Sequence, residues 1–193
     1  MGTISFSKWE TLPDRLLLKT GISNILRGKA NTLQEAFSCI YHLPYGRNKS
    51  RQGYLNIIDE GRGTCGTKHA FLVALARELN IQMTLMTGIY LLTAKNTPKL
   101  APILNRFGIT EMPEAHCFIQ YNQDYFDVTG AHTNQDLEVL QTLVLDIDQM
   151  YPKKDAFHQS FIKKWQNKTE LAYSLEEIWH IREECIRALS VDP

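Results

Sequence analysis

The stretch from Gly61 to Asn80, GRGTCGTKHAFLVALARELN, most tightly limits what this chain can fold into. Gly61 to Gly63 form a turn, and Thr64 is placed as the N-cap of a helix running from Cys65 to about Leu79. From Phe71 to Ala76 the residues are apolar without a break, and only Lys68, His69, Arg77 and Glu78 interrupt the helix elsewhere. A helix that is apolar all round has to be enclosed by other elements. It therefore marks the middle of a packed domain, and its first residue is a glycine-flanked cysteine.

The remaining segments supply the enclosing layers. Residues 8–20 read as a short helix around Leu12, Leu16 and Leu17, with Pro13 in its first turn. Residues 32–42 read as a second helix, capped by Asn31 or Thr32, with Leu33, Ala36, Phe37 and Ile40 at helical spacing. Strands are expected over 83–91, 115–121, 125–129 and around Leu143, Leu145 and Ile147, the second and third forming a hairpin about Asn122-Gln123-Asp124. Residues 93–113 hold three prolines and read as a long connection with one helical turn, of the length that often serves as a lid. Two helices close the chain, 151–166 and 174–189, the second opening on the capping box Ser174-Leu-Glu-Glu177. Helices at both ends around a central set of strands make the expected fold class α+β. A length of 193 residues fits one domain with a core large enough to need neither disulfide nor metal.

Composition narrows the partners. There are 21 basic and 21 acidic residues, so no basic excess exists to hold nucleic acid or an anionic membrane surface. No apolar stretch is long enough to span a bilayer, and Met1 to Glu10 lacks the charged and apolar regions of a secretory signal. Position 6 is Phe6, which fails the myristoylation pattern that Gly2 invites. The four cysteines, at 39, 65, 117 and 185, are too few for a disulfide scaffold. Reduced thiols in a cytoplasm are expected, and the glycosylation acceptor patterns at Asn48 and Asn167 are read as chance.

A thiol attacks only as the thiolate, and the first turn of a helix favours that anion through its unpaired N–H groups and its dipole. Cys65 stands at such a turn, and the same N–H groups, Gly66 among them, suit an oxyanion. The chemistry further needs a base and a group to orient it. With a two-residue turn at Asn122-Gln123, Asp127 lies opposite Phe118 and diagonal to His116, on the same face of the sheet. A turn shifted by one residue would put the two on opposite faces.

These segments resemble the transglutaminase-like superfamily, a branch of the papain-like cysteine enzymes. Gly61 to Ile81 is similar to the family's nucleophile helix, Glu114-Ala-His116-Cys-Phe-Ile-Gln-Tyr to its histidine strand, and Tyr125-Phe-Asp127-Val-Thr129 to its Asp-x-Thr strand. The resemblance covers about residues 53–130; the helical flanks 1–52 and 131–193 lie outside it. It implies a papain-like core, with the nucleophile helix packed on a small antiparallel sheet. It also implies Cys65 as nucleophile, His116 as base and proton donor, Asp127 as orienting group, and a thioester formed from an amide. Protease, amidase, deamidase and crosslinking outcomes are all found in the family. Cys117 stands where an aromatic residue usually follows the histidine, and Tyr54 and Asn56 are the candidates for the side-chain donor of the oxyanion hole. The chain is too short for the calcium-binding regions of animal transglutaminases, so neither calcium nor any other cofactor is expected.

Other readings stand beside this one. The chain could be a non-catalytic member of the fold, used for binding or assembly. Cys65, His69, His116 and Cys117 could form a structural zinc site, although Cys117 is expected to point away from His116. Lys68 reads as a solvated helix position, Trp165 and Trp179 as core, and Cys39 and Cys185 as structural. Arg47, Lys49 and Arg51 read as a solvated loop that could otherwise meet an acidic group of the substrate. The substrate left open is a peptide, a protein side chain or a small amide.

Overall fold

The helix anticipated after Thr64 runs over Cys65–Glu78 in the computed structural model, which describes residues 2–130, 137–169 and 171–190. The described elements are, in chain order, β1 (Gly2–Ile4), α1 (Gly21–Ile25), α2 (Leu33–Tyr41), α3 (Cys65–Glu78), β2 (Thr84–Thr93), α4 (Ala101–Arg106), β3 (Glu111–Tyr121), β4 (Asp124–Phe126), β5 (Leu137–Val139), β6 (Gln141–Leu145), α5 (Met150–Thr169) and α6 (Leu175–Leu189). The fold class is α+β. One antiparallel sheet has the order β4-β3-β2-β6, and β1 pairs with β5 in a second. No described helix is long and apolar enough to cross a membrane.

The four-stranded sheet is covered on both faces. Leu85, Cys117 and Ile119 pack with α2 and α3, whereas Met86, Tyr90, Met112 and Phe118 pack with β1, β5, α5 and α6. Every residue of α3 from Cys65 to Ala76 is buried, as its unbroken apolar run requires. Its last residue, Glu78, accepts the backbone N–H groups of Ile22 and Ser23 at 2.6 and 3.0 Å and so caps α1.

The N-terminal third departs most from expectation. Residues 8–20 form no α-helix; a 3₁₀ turn at Trp9–Thr11 gives way to an extended strap. Leu17 donates to the Asn31 carbonyl and Leu33 to the Arg15 carbonyl, each at 2.8 Å. Pro13 has no N–H to offer a helix, and this pairing takes up the backbone groups a helix would use. The leucine spacing misled, because Leu12 is buried while Leu16 is 71% exposed. Nor is the N-terminal flank purely helical: β1 pairs with β5, more than a hundred residues away.

The other differences are of extent. β2 and β3 are longer than expected and absorb both ends of the 93–113 connection, leaving a 3₁₀ turn at Pro98–Leu100 and α4 between them. Pro113 lies within β3, where β4 does not reach and no strand partner needs its missing N–H on that side. β4 ends at Phe126, so Asp127 follows the strand and is not part of it. The last strand is Gln141–Leu145, with Ile147 in the turn that follows. Ser174 and Glu177 form the expected capping box of α6.

Candidate active site

Local chemistry sets the start of α3. The Thr64 hydroxyl accepts the Thr67 N–H, and the Thr67 hydroxyl accepts the Thr64 N–H at 2.9 Å, so a threonine does the work of the usual Glu in the capping box. Asn48 braces the cap by accepting from the Thr67 hydroxyl at 2.8 Å and donating to the Arg62 carbonyl at 2.9 Å. Its amide is therefore engaged in the fold. Gly66 is a glycine of close approach, since a Cβ there would lie 3.1 Å from the Tyr151 hydroxyl and 3.3 Å from the Met150 sulfur.

The hairpin turns at Asn122-Gln123, with Asn122 at φ +54°. Tyr121 lies opposite Asp124, Gln120 opposite Tyr125 and Ile119 opposite Phe126. Continued by one pair, this register carries Asp127 alongside Phe118 and diagonal to His116. His116 Nε2 is 2.9 Å from Asp127 Oδ2, with both side chains about 95% buried. The other carboxylate oxygen accepts the Thr129 N–H at 2.8 Å and its hydroxyl at 2.7 Å, so the Asp-x-Thr spacing is what fixes the carboxylate. Burial opposes its charge, yet the charge and hydrogen bond of His116 outweigh burial and hold Asp127 well below the usual carboxylate range. Burial opposes a charge on His116, yet the Asp127 charge and hydrogen bond, joined by Cys65, push its pKa up to about 10.

Cys65 is 5% exposed and meets groups from two other elements, β3 and α5. Lys154 Nζ donates to its sulfur at 3.4 Å, and Cys117 and His116 stand close enough to perturb it. The Cys117 hydrogen bond, against the cost of burial, together with Lys154 and His116, holds the Cys65 thiol well below its ordinary value. The other thiols move the opposite way. Cys117 is raised by its bond to Cys65 and by burial, Cys39 is raised by burial, and burial pushes Cys185 up to about 11.

Two clefts open onto Cys65. One, of about 240 Å³, is lined by Thr64, Lys154, His158, Trp179 and Arg182. The other, of about 430 Å³, is lined by His116, Tyr90, Thr129 and residues 96–99 of the long connection. Cys65, Tyr45, Glu114 and Ile186 border both. Arg47 and Arg51, expected as a solvated loop, line the first cleft and pair with Glu183 and Asp155, strapping their loop to α6 and α5. Lys49 lines neither cleft.

Several expectations need correction. Lys68 is fully buried: its Nζ donates to the carbonyls of Tyr41, Leu43 and Val128 at 3.2, 2.6 and 3.2 Å, and burial lowers its pKa to about 8. Cys117 and His116 leave opposite faces of β3, as strand alternation expects, and Cys117 nevertheless lies beside Cys65. Tyr54 and Asn56 border neither cleft; Tyr54 lies towards Arg77 and Asp148, at the far end of α3. Trp165 is core, whereas Trp179 is half-buried, lines the first cleft and packs on His158 at 5.2 Å between ring centroids. His69 Nε2 accepts the Val128 N–H at 3.0 Å and Nδ1 donates to the Cys65 carbonyl at 2.7 Å, so one tautomer commits both ring nitrogens. Its 3.4 Å approach to Asp127 is then no hydrogen bond. Among the described residues no group of three or more His, Cys, Asp or Glu is arranged to hold a metal.

Sequence reasoning missed Lys154, the Glu114–Arg182 pair and the anchoring by Thr129. The signal for Lys154 was present: Met150, Lys154, His158, Ile162 and Trp165 share the buried face of α5, and a lysine in such a series is out of place unless partnered. No protein-family model, curated protein or solved structure matches the chain.

Proposed function

We propose that this protein is a cysteine-dependent amide hydrolase or acyltransferase with a papain-like, transglutaminase-like core, acting in a reducing compartment such as the cytoplasm on a peptide, a protein side chain or a small amide. The observation that carries this reading is the meeting of Cys65, His116 and Asp127, from three separate segments, where two clefts converge. The Cys65 thiolate adds to an amide carbonyl. His116, held protonated by Asp127, delivers its proton to the departing nitrogen, leaving a thioester on Cys65. Water or an amine, deprotonated by the now neutral imidazole, then resolves the thioester. Since His116 lines the larger cleft, the leaving group belongs there and the acyl portion in the smaller one.

The reading predicts a ranking among the four thiols. Under limiting iodoacetamide near neutral pH, with the sites read by mass spectrometry, Cys65 reacts well ahead of Cys39, Cys117 and Cys185. Its reaction slows only as pH falls through its depressed pKa, whereas an ordinary thiol gains rate as pH rises through about 8.5. A Cys65 that is inert, or that titrates like an ordinary thiol, overturns the catalytic reading and leaves a binding module of the same fold.

A further inference from the structure

Tyr54 and Asn56, the side-chain donors expected for the oxyanion that forms when Cys65 attacks, lie away from both clefts. A different group is in place. Lys154, on α5 and outside that stretch, is 7% exposed, donates to the Cys65 sulfur at 3.4 Å and lines the smaller cleft beside it. A buried ammonium needs an anion or a full set of acceptors, and the neighbours of Lys154 can be taken in turn. From β3 it faces Glu114 and Cys117, from α3 Cys65, from the loop before α3 Tyr45, and from its own helix Tyr151 and His158. Glu114 is committed to Arg182 through two hydrogen bonds, of 2.6 Å from Nε and 2.5 Å from Nη2. Tyr45, Tyr151 and Cys117 all have their pKa values raised and stay neutral, and burial keeps His158 neutral. Of these neighbours, Cys65 is left as the anion for Lys154.

We propose that Lys154 is a catalytic residue of this site: its ammonium pairs with the Cys65 thiolate and passes to the carbonyl oxygen as negative charge moves there. The inference rests on the amide-attack reading above. A sulfur lone pair forms the S–C bond and the carbonyl π pair moves onto oxygen, so the charge leaves the atom that Lys154 touches for one two bonds away, on the carbon the sulfur has just joined. When the adduct collapses, the oxygen pair re-forms the carbonyl. The C–N pair departs with nitrogen, which takes the His116 proton. Lys154 keeps its own proton throughout and contributes field and hydrogen bond alone.

The two stages separate experimentally, because alkylation by iodoacetamide needs only the thiolate whereas acylation by a small activated ester also passes through an oxyanion. Full-length wild type, Lys154→Met, Lys154→Arg and His116→Ala are compared in both reactions from acid to neutral pH, with slow alkylation of buried Cys185 certifying the fold. In Lys154→Met, the pH profile of Cys65 alkylation is expected to shift up by about one pH unit, a tenfold loss of rate on its acid side. Ester acylation is expected to fall about 100-fold beyond that, the usual loss on removing an oxyanion donor. Lys154→Arg keeps a cation and retains most of both rates, so it carries the test if the methionine variant fails to fold. In His116→Ala, Cys65 still outpaces Cys39, because Lys154 continues to hold the thiolate. Equal falls in the two reactions of Lys154→Met, unchanged rates in it, or loss of both rates in a folded Lys154→Arg overturn the proposal while leaving the triad standing. An unreactive Cys65 in the wild type overturns the underlying reading itself.

Discussion

His116→Ala is expected to lower turnover of an amide by about 10³- to 10⁴-fold while leaving the protein folded. An amine is a poor leaving group unless it is protonated as it departs, and no neighbour can take over that task. His69 has both ring nitrogens committed to backbone groups. Lys154 has its pKa raised well above the ordinary lysine value, because the Cys117–Cys65 thiol pair, which shares one negative charge, and Glu114 outweigh burial, so it holds its proton too tightly to give it up. An activated ester, whose leaving group departs without a proton, should lose far less. The ratio of amide to ester turnover in His116→Ala against wild type is therefore the quantity to measure. Equal losses on both substrates would remove His116 from the proton-donor role.

Lys68→Met is expected to destabilise the folded chain by about 3–5 kcal/mol, read as a lower urea midpoint. Lys68 is fully buried and serves three carbonyls, those of Tyr41 and Leu43 at the C-terminal end of α2 and of Val128 just after Asp127. Methionine fills most of the volume but leaves all three oxygens without their shared donor. The segment carrying Val128 also carries Asp127 and Thr129, so the same change should loosen the carboxylate that orients His116 and reduce activity before the protein unfolds. An unchanged midpoint would mean that water satisfies these carbonyls in place of the ammonium.

What the sequence made legible was local. The Gly-Thr-Cys start of α3 reads correctly because the cap is built from residues three apart. The His116–Asp127 diagonal reads correctly because one two-residue turn sets the register of the whole hairpin. What failed depended on distant partners. The Leu12, Leu16 and Leu17 spacing imitates a helix, but Asn31 and Leu33 pair with that backbone and draw it out. β1 is three residues long and has meaning only beside β5. Lys68 looked like a surface residue because the three carbonyls that hold it come from two other segments. Lys154 reaches Cys65 from 89 residues further along the chain, a distance over which helical periodicity shows burial but not the partner.

Proton affinity at His116 ties the site to the stability of the fold. Its folded pKa of about 10 lies above the unfolded value of about 6.5, so the folded chain holds a proton that the unfolded chain releases. This contribution is complete below about pH 6.5 and is lost as pH rises through about 10. The most direct test of the central claim, a Cys65 thiolate paired with a His116 imidazolium held by Asp127, is the titration of the His116 ring nitrogens by NMR in the resting protein. Both nitrogens are expected to be protonated at neutral pH, with release only near pH 10. A lower midpoint is expected in Cys65→Ala, where the thiolate charge is gone. A His116 that titrates near its ordinary value of about 6.5 in the wild type, or that is indifferent to Cys65, would contradict that claim.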